Sequence, residues 1–318
     1  MQGLKDVRDI LVPGMYGAVV DISDAYYHIS IHKKARKYCR FIVDGEVYEY
    51  LGLPMGLTCS PRIFTRVSKA AADWLRKRGV LLIIYIDDIL VLGRTKESCL
   101  RNVKMVLALL KRLGFVINEA KCNLTPSTSF TYLGCVWDTQ YWRVKLKPKR
   151  EESIRISAKN LLQKRTVSVR TVARFVGKIQ SAVGILPLAR ARSRALMYQF
   201  AAVCKDRKSY DKFMTVSDRA VQELQVWSVL PSGSSMMIST EGLLVVTVDT
   251  DASPEGYGWY WNNQIFSDII PDQWRGFHIN ILELWTLRKF LDTEGSKLED
   301  VVLCWRVDNN TALAAVKK

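Results

Sequence analysis

Apolar and polar residues follow two different periods in the first 142 residues of the chain. Short apolar blocks typical of strands alternate with stretches whose apolar residues recur at the helical spacing. The strand-like blocks lie at 17–20, 38–43, 47–51, 81–86 and 89–92, and the helical stretches lie near 61–78 and 96–113. Gly114 follows the second helical stretch, where a C-terminal helix cap is expected. The pattern predicts an α+β region.

The rest of the chain divides into two further regions. Residues 148–230 have the helical spacing, with β-branched residues at 166–172, and they end in the linker-like Pro231-Ser-Gly-Ser-Ser235. The pattern after residue 243 predicts strands at 245–252, 259–261 and 264–269, a helix around 281–290 and a strand at 301–307. We therefore predict a multidomain protein with domains at 1–142, 143–235 and 243–318.

The composition excludes several classes of protein. Hydrophobic residues make up 48% of the 318 residues and charged residues 25%, which is typical of a folded chain and not of a disordered one. There is no apolar run long enough to span a bilayer and no secretory leader. The seven cysteines include no CxxC pair, which argues against a zinc site and a disulfide scaffold. We expect an intracellular protein, in the cytoplasm or the nucleus, that is not secreted.

The net charge of +16 is concentrated in the middle of the chain. Residues 143–210 carry 18 basic and 3 acidic residues, whereas residues 211–318 carry 9 basic and 15 acidic residues. The middle block includes Lys145-Leu-Lys-Pro-Lys-Arg150, Lys164-Arg165 and Arg190-Ala-Arg-Ser-Arg194. Such a block indicates that a polyanion is bound there, and the alternative is a solvated helical face.

Adjacent carboxylates are the sharpest local feature of the first region. Asp87 and Asp88 lie in Tyr85-Ile-Asp-Asp88 between two apolar runs, which predicts a buried hairpin with the acids at its turn. Like charges held so close repel each other unless a cation neutralises them, so we expect a divalent metal ion. Asp21 ends another apolar strand. The alternatives are an ordinary Asp-containing turn for the pair and a turn cap for Asp21.

Five motifs occur in the order of the palm motifs of reverse transcriptases, and the chain resembles this family over essentially its whole length. The motifs are Asp21-x-x-x-Ala25-Tyr26, Leu53-Pro-Met-Gly56 with Ser60-Pro61, Tyr85-Ile-Asp-Asp88, Gly114-Phe-Val-Ile-Asn-Glu-Ala-Lys-Cys122 and Tyr132-Leu-Gly-Cys-Val-Trp137. Two further stretches resemble the DIRS-like retrotransposons, namely Ser60-Pro-Arg-Ile-Phe-Thr65 and His278-Ile-Asn-Ile-Leu-Glu-Leu284. The Leu-Pro-Met-Gly stretch is also similar to pararetroviral polymerases.

The resemblance implies a polymerase site that transfers nucleotides with the help of two Mg²⁺ ions, for which Mn²⁺ can substitute. Asp21 and Asp87 would hold the ions, with the backbone of Ile22 as a further ligand and Asp88 in a supporting role. Magnesium prefers carboxylate and phosphate oxygens, which this set provides. Lys121 would protonate the leaving pyrophosphate, and the alternative is a surface lysine.

The resemblance also implies residues that bind the nucleotide and the primer. Tyr26 would lie under the incoming sugar and exclude a 2′-hydroxyl, with a core aromatic as the alternative. Ala25, Met55 and Gly56 would line the nucleotide site, although Met55 replaces the Gln or Phe of many relatives. A turn formed by Leu133-Gly134 would hold the primer, and plain hairpin packing is the alternative.

The third region resembles ribonuclease H through Asp251, Glu283 and Asp308, which would hold a second pair of Mg²⁺ ions for phosphodiester hydrolysis. Glu283 comes three residues after Asn280, so a capping box is an alternative role for it. Asp308 could instead cap the helix that follows. Asp249 is an alternative to Asp251 as the first of these carboxylates, but the sequence Thr-Asp-Ala-Ser around Asp251 favours Asp251.

Together these resemblances imply a right-hand polymerase palm with partial fingers, a helical basic thumb and connection, and a ribonuclease H-like α/β domain. The partners would be RNA and DNA template–primer duplexes, RNA/DNA hybrids and deoxynucleoside triphosphates, with no membrane. Compared with the family, the chain lacks most of the fingers and the fourth ribonuclease H acid. We therefore expect a fragment with weak or no hydrolysis. The alternatives are a domesticated or decayed nucleic-acid-binding fragment without catalysis and a pararetroviral polymerase.

Overall fold

The computed structural model describes residues 2–186, 188–240, 243–298 and 301–317. The chain forms two compact units, Met1–Ile238 and Ser239–Lys318. The helices described in the first unit are α1 (Leu4–Ile10), α2 (Ser60–Arg76), α3 (Lys96–Arg112), α4 (Pro148–Gln163), α5 (Val169–Gln180), α6 (Arg194–Val203) and α7 (Asp218–Ser228). The strands described there are β1 (Tyr16–Asp21), β2 (Arg40–Val43), β3 (Glu46–Glu49), β4 (Leu81–Tyr85), β5 (Asp88–Gly93), β6 (Asn123–Ser127), β7 (Ser129–Tyr132), β8 (Cys135–Asp138), β9 (Arg143–Leu146), β10 (Thr166–Ser168), β11 (Phe213–Thr215) and β12 (Ser235–Met237).

The central sheet of the first unit has the strand order β4-β5-β1-β6, and its strands are antiparallel. Val20 and Val91 face one apolar cluster, which includes side chains of α2 and α3, whereas Val19 and Leu90 face a second cluster on the opposite side. Burial on both faces explains why these strands are uninterrupted apolar runs instead of alternating ones. The predicted buried hairpin of β4 and β5 is confirmed.

A second sheet connects the central sheet to the helices that follow. Its strand order is β12-β9-β8-β7, and the second apolar cluster joins Phe130 and Trp137 of this sheet to Ile154 of α4, Phe175 of α5 and Trp227 of α7. This sheet crosses the domain boundary predicted between residues 142 and 143. The division of the first unit into a palm and a thumb stays a prediction. Strands β10 and β11 form a separate pair, as do β2 and β3.

The elements predicted between residues 17 and 113 and after residue 245 are present, whereas α1, β6–β9 and β12 were not predicted from the pattern. The β-branched stretch at 166–172 forms a strand only as far as Ser168, and α5 begins at Val169. The hydroxyl of Ser168 accepts a hydrogen bond from the Thr171 backbone N–H, which caps the helix. Val169 and Val172 are buried in the core, so packing overrides their strand propensity. Among the described residues, no helix is long and apolar enough to cross a membrane.

The second unit is a sheet with a helix packed on one face. Its described elements are β13 (Val245–Ala252), β14 (Gly256–Trp261), β15 (Gln264–Ile269), α8 (Ile279–Glu294), β16 (Val302–Arg306) and α9 (Asn310–Lys317). The strand order is β15-β14-β13-β16, in which β13 and β16 are parallel and the other pairs antiparallel. Val248 of β13 and Phe290 of α8 are fully buried in its core. The mixed α+β fold class is confirmed.

Candidate active sites

Three carboxylates of the first unit lie at one edge of the central sheet. Asp21 ends β1 and is the direct cross-strand partner of Asp88, which begins β5. Asp87 lies with Ile86 in the two-residue turn between β4 and β5, and its carbonyl accepts a 3.1 Å hydrogen bond from the Ile22 backbone N–H. Ile86 has a φ of +54°, which is unusual for a β-branched residue and is retained only where the surrounding structure imposes it.

Two of the carboxylates at this edge have raised pKa values, because they are buried and lie near other negative charges. Burial, helped by the charges of Asp87 and Asp21, raises the pKa of Asp88 to about 6. The pKa of Asp21 is also raised, chiefly by burial and then by Asp87, while Lys121 and a hydrogen bond with Asn118 oppose the shift. Asp21 is 5% exposed, and its Oδ1 has no hydrogen-bond partner among the described residues. An unpaired buried oxygen beside two more carboxylates fits a hard divalent cation such as Mg²⁺.

A pocket of about 240 Å³ opens beside the carboxylates. It brings together six of the residues predicted from the sequence: Ile22, Ala25, Tyr26, Met55, Asp87 and Lys121. Gly56 is not among its lining residues, and its φ of +85° instead shapes the loop that carries Met55. Met55 itself is 62% exposed at the mouth of the pocket.

Tyr26 is held in the pocket by a short turn of 3₁₀ helix at Ala25–His28. Its ring packs edge to face on Phe64 of α2, with ring centroids 5.8 Å apart. Burial raises the pKa of Tyr26, and the nearby charge of Asp87 adds to the shift. The ring is half-buried and is not enclosed in the core, so the surface that faces the pocket is free to contact a ligand.

The Leu133-Gly134 turn connects β7 to β8. Both residues have positive φ, +49° and +74°, as a tight two-residue hairpin requires. The Gly134 carbonyl accepts a hydrogen bond from the Lys147 backbone N–H, and a Cβ on Gly134 would lie 2.8 Å from the guanidinium of Arg150. Tyr132, next to the turn, donates its hydroxyl to the Asp88 carbonyl at 3.1 Å. The turn is therefore tied to the carboxylate edge.

The second unit contains a separate acidic cluster. Oxygens of Asp251 on β13, Glu283 on α8 and Asp308 after β16 lie within 4.8 Å of one another. Glu283 is 2% exposed, and its Oε2 has no hydrogen-bond partner among the described residues, which again fits a divalent cation. Burial raises the pKa of Glu283 to about 7, with contributions from Asp251 and Asp308.

The capping roles considered for these acids are wrong. Helix α8 begins at Ile279, and its N-cap is His278, whose side chain accepts the Asn280 N–H, so Glu283 is not part of a capping box. The oxygen of Asn309 accepts the backbone N–H groups of the first turn of α9, which leaves Asp308 free of that role.

Asp249, the alternative to Asp251, forms an ion pair outside the acidic cluster. It receives two hydrogen bonds of 2.6 Å from the guanidinium of Arg306 on the neighbouring strand, in a bidentate ion pair. Asp251, two residues further along β13, belongs to the acidic cluster instead. The structure thus brings together the three acids that the sequence predicted.

Comparison with known proteins identifies the region that carries the first site. Residues 12–137 match the family model described as reverse transcriptase (RNA-dependent DNA polymerase). They form a reverse transcriptase domain. The matched range includes Asp21, Asp87 and Asp88 together with β1–β7 and all but the last residue of β8.

Similar proteins of known sequence come from reverse-transcribing viruses. The chain is 26% identical over 202 residues to Protein P of Duck hepatitis B virus, a match that covers 63% of this chain and 25% of that protein. It is 28% identical over 131 residues to Polyprotein P3 of Commelina yellow mottle virus, covering 40% of this chain and 6% of the polyprotein. The chain therefore spans about a quarter or less of the length of these relatives.

Solved structures share the fold. A foamy viral protease-reverse transcriptase in complex with an RNA/DNA hybrid matches 98% of this chain and 41% of its own, with a TM-score of 0.60 and 19% identity. A second structure of the foamy viral protein, in complex with double-stranded DNA, matches 99% of this chain and 64% of its own at the same TM-score and 18% identity. The mixed α+β fold of the chain is thus that of retroviral reverse transcriptases.

One residue of the reverse transcriptase domain's pocket was missed by the sequence reasoning. Asn118 lines the pocket beside Lys121, and it lowers the pKa of Asp21 against the effect of burial. Its backbone N–H also donates to the Asp21 carbonyl at 2.9 Å. The available signal was the place of Asn118 within the Gly114–Cys122 motif, which also contains Lys121. The Asp21 backbone N–H donates to the thiol of Cys122 in the same motif at 3.2 Å.

The basic block after the reverse transcriptase domain has two kinds of member. Arg150 donates to the Ser181 hydroxyl at 2.6 Å, and Lys178 donates to the hydroxyls of Ser153 and Ser157, so these charges hold helices together. In contrast, three lysines at alternate positions along β9 and the start of α4 are exposed: Lys145, Lys147 and Lys149. The charge available for a polyanion is therefore smaller than the composition implies.

The raised pKa of Glu283 predicts a pH dependence of stability in metal-free buffer. A carboxyl whose pKa rises from 4.5 to about 7 on folding binds its proton more tightly in the folded state. The free energy of unfolding should therefore fall as the pH rises from about 4.5 to about 7, by on the order of 2–3 kcal/mol. Glu283→Gln should abolish that fall, and added Mg²⁺ should reduce it in the wild type. Urea titrations at several pH values measure both effects.

The matched control is Glu255→Gln, which changes an exposed acid in the turn between β13 and β14. It should keep the wild-type dependence on pH. A Glu283→Gln variant whose unfolding free energy follows the same pH curve as the wild type would contradict the assignment of the shift to this carboxyl.

Proposed function

We propose that this chain is part of an RNA-directed DNA polymerase, with its polymerase site at Asp21, Asp87 and Asp88. The observation that carries the proposal is the meeting of these carboxylates at one sheet edge inside a reverse transcriptase domain, with an unpaired buried oxygen on Asp21. Asp21, Asp87 and the Ile22 carbonyl would hold two Mg²⁺ or Mn²⁺ ions, supported by Asp88. Bound there, the ions would activate the primer 3′-hydroxyl and neutralise the leaving pyrophosphate.

The other residues of the pocket bind and orient in this proposal. Tyr26 supports the sugar of a deoxynucleoside triphosphate and leaves no room for a 2′-hydroxyl. Ala25 lines the same pocket, and its small side chain leaves space for the sugar. Met55 and Gly56 form the outer side of the nucleotide site, because both are exposed. Lys121, which lines the pocket, donates a proton to the pyrophosphate.

The primer strand would be held by the Leu133-Gly134 turn. Its link to the carboxylate edge through Tyr132 supports this role, because the 3′-terminus must lie within reach of the metal site. The positive φ of both residues fixes the tight turn in one conformation.

Primer extension tests the polymerase proposal. A labelled DNA primer annealed to an RNA template is incubated with Mg²⁺ and deoxynucleoside triphosphates, and we expect templated extension that stops when Mg²⁺ is chelated. Duplex binding without any incorporation, in either Mg²⁺ or Mn²⁺, would refute the proposal. That outcome would favour the alternative of a decayed or domesticated fragment that binds nucleic acid without catalysis.

We propose a second activity for the acidic cluster of the second unit, the hydrolysis of RNA in an RNA/DNA hybrid. Asp251, Glu283 and Asp308 would hold two Mg²⁺ ions. Burial, together with the charges of Asp251 and Asp308, raises the pKa of Glu283, and the ions would offset both effects. We expect slow cleavage of a labelled hybrid that Asp251→Asn abolishes. The control Asp272→Asn, at an exposed acid, should retain it. Equal cleavage by wild type and Asp251→Asn would refute the assignment.

The exposed lysines of the basic block predict a steep dependence of duplex binding on salt. A protein that neutralises four phosphates is expected to lose about a hundredfold in affinity between roughly 50 and 200 mM salt. The double variant Lys145→Gln, Lys149→Gln should reduce the slope of log Kd against log salt by about 2. Fluorescence anisotropy with a labelled template–primer measures the slope.

The control for the salt experiment is the double variant Lys104→Gln, Lys111→Gln, at exposed positions of α3. It should keep the wild-type slope although it changes the net charge by the same amount. An affinity for the duplex that is the same at low and moderate salt would contradict a role of the block in binding template and primer.

We propose a DIRS-like retrotransposon as the source, because the sequences of residues 60–65 and 278–284 resemble that group. A pararetroviral polymerase is the second candidate, and the identity with Protein P of Duck hepatitis B virus favours it. The DNA flanking the gene separates the two, because repeated element ends would support the first and viral structural genes the second. In either case we propose an intracellular protein.

A further inference from the structure

The backbone of Asp21 lies where β1 loses its regular neighbour on one side. Strand β1 pairs with β5 as far as Asp21, but its pairing with β6 ends at Val19 and Asn123. The irregular segment that precedes β6 takes the place of that strand, and an isolated antiparallel bridge joins Ile22 to Ile117. The end of β1 is therefore held by a strand on one side and by an irregular segment on the other.

A turn formed by residues 118–122, which we call the 118–122 turn, contacts the backbone of Asp21 on this side. The Asn118 N–H donates to the Asp21 carbonyl at 2.9 Å, and the Asp21 N–H donates to the thiol of Cys122 at 3.2 Å. The Asn118 carbonyl accepts the N–H groups of Lys121 and Cys122 at 3.1 Å each, which closes the turn. The sulfur thus takes the place of the carbonyl that a paired strand would offer to the Asp21 N–H.

The backbone held in this way carries two of the proposed metal ligands, the Asp21 carboxylate and the Ile22 carbonyl. On the β5 side, the Ile22 N–H donates to the Asp87 carbonyl at 3.1 Å. The Asp21 side chain is 5% exposed and its Oδ1 has no hydrogen-bond partner among the described residues. Because a buried side chain has few rotamers available, the position of its oxygens follows from the position of its backbone.

The 118–122 turn also carries Lys121, the proposed proton donor. Lys121 and Asn118 both line the nucleotide pocket, and Cys122 follows Lys121 directly. Since the N–H groups of Lys121 and Cys122 share the Asn118 carbonyl, the contact between the thiol and Asp21 also fixes the backbone of the lysine relative to Asp21. A metal ligand and the proton donor are therefore held in one hydrogen-bonded unit.

We propose that Cys122 is a positioning residue of the polymerase site, whose thiol holds the backbone of Asp21 in the conformation that binds the metal ion. The effect on the metal rests on the proposed polymerase function, whereas the hold on the backbone does not. A group that orients a metal ligand typically changes metal affinity by about 10- to 100-fold when it is removed. The alternative is a thiol that only fills space, because Cys122 also packs against the apolar cluster that contains Val20 and Val91.

The test compares two cysteines that pack in the same apolar cluster. Cys122→Ala removes the acceptor for the Asp21 N–H, whereas Cys122→Ser keeps an acceptor of similar size. The control Cys99→Ala removes a thiol that is fully buried in this cluster and contacts the Val91 carbonyl at 3.6 Å. Because Cys122 is only half-buried, the control should lower the urea concentration of unfolding at least as much as Cys122→Ala.

Hydrogen exchange in metal-free buffer tests the hold on the backbone. Peptides that cover residues 17–23 are followed by mass spectrometry, and we expect the Asp21 amide to exchange about tenfold faster in Cys122→Ala, with Cys122→Ser and Cys99→Ala within about threefold of the wild type. Unchanged exchange in Cys122→Ala would overturn the proposal. Equal acceleration in Cys99→Ala would also overturn it, since the effect would then come from core packing.

The affinity for Mn²⁺ tests the effect on the metal site. It is measured by electron paramagnetic resonance of the free ion, in chains that also carry Asp251→Asn and Glu283→Gln so that the second acidic cluster does not contribute. We expect Cys122→Ala to weaken Mn²⁺ binding about tenfold or more, with Cys122→Ser and Cys99→Ala within about threefold of the background chain. Faster exchange without any loss of Mn²⁺ affinity would overturn the proposal, because the thiol would then support the backbone alone.

These outcomes can be distinguished from failure of the proposed polymerase function. Neither measurement contains primer or nucleotide, so both give a result even if the chain does not extend a primer. Selective loss of Mn²⁺ affinity in Cys122→Ala, in a chain without extension, would support the positioning role while the polymerase proposal fails. If the background chain binds no Mn²⁺, or if its binding survives Asp87→Asn, both the metal site and the role of Cys122 in it are overturned.

Discussion

Asp87→Asn should lower templated primer extension by about a thousandfold or more. The substitution keeps the size of the side chain but removes the charge that would hold both metal ions, and a loss of about 4 kcal/mol of transition-state stabilisation corresponds to that factor. The backbone of the turn should remain intact, because the hydrogen bond from Ile22 is made to the Asp87 carbonyl and not to its side chain. Steady-state extension on an RNA template measures the effect.

The stability of Asp87→Asn separates a catalytic from a structural loss. Asp87 raises the pKa of both Asp21 and Asp88 through its charge, so its neutralisation should relieve repulsion in metal-free buffer. We therefore expect unfolding at the same or a higher urea concentration than for the wild type. The control Asp9→Asn, at an exposed acid of α1, should keep both activity and stability. Extension that survives in Asp87→Asn would refute the site.

The central sheet was predictable because both of its faces are buried. Apolar runs on either side of Asp87 and Asp88 place the acids at the turn of the hairpin, and the structure has Asp87 in the two-residue turn and Asp88 as the first residue of β5. Asp21 could be placed at the same edge only through the resemblance, since its pairing with Asp88 joins residues 67 positions apart in sequence. The local pattern of apolar residues predicts the strands, whereas their register in the sheet depends on contacts between residues that are far apart in the sequence.

The roles of individual polar residues were less predictable, because they depend on tertiary partners. A capping box of Asn280 and Glu283 fits the local sequence equally well, and it fails only because His278 caps α8 two residues earlier. The basic block shows the same limit. Nothing in the sequence separates Arg150, which donates to Ser181, from Lys149, which is exposed beside it. Composition therefore overstates the charge available to a ligand.

Core packing is connected to the carboxylate edge through Trp137, which is fully buried between the two sheets and the helices of the first unit. Its indole N–H donates to the Tyr132 carbonyl at 3.2 Å, and the Tyr132 hydroxyl donates to the Asp88 carbonyl. The ring thus fixes the hairpin whose turn is formed by Leu133 and Gly134. Loss of the ring should affect both the stability of the first unit and the geometry of the carboxylate edge.

Trp137→Ala should lower the free energy of unfolding by about 3–5 kcal/mol, because it leaves a large cavity and removes the hydrogen bond from the indole to the Tyr132 carbonyl. Trp137→Phe, which fills most of the volume, should lose less. The control Trp74→Ala removes a ring that is 42% exposed and packs under Arg78, so it should cost about 1 kcal/mol or less. Urea unfolding followed by circular dichroism measures all three. Equal costs at Trp137 and Trp74 would contradict this packing, whereas a selective loss at Trp137, with primer extension falling alongside it, would show that the carboxylate edge depends on the core behind it.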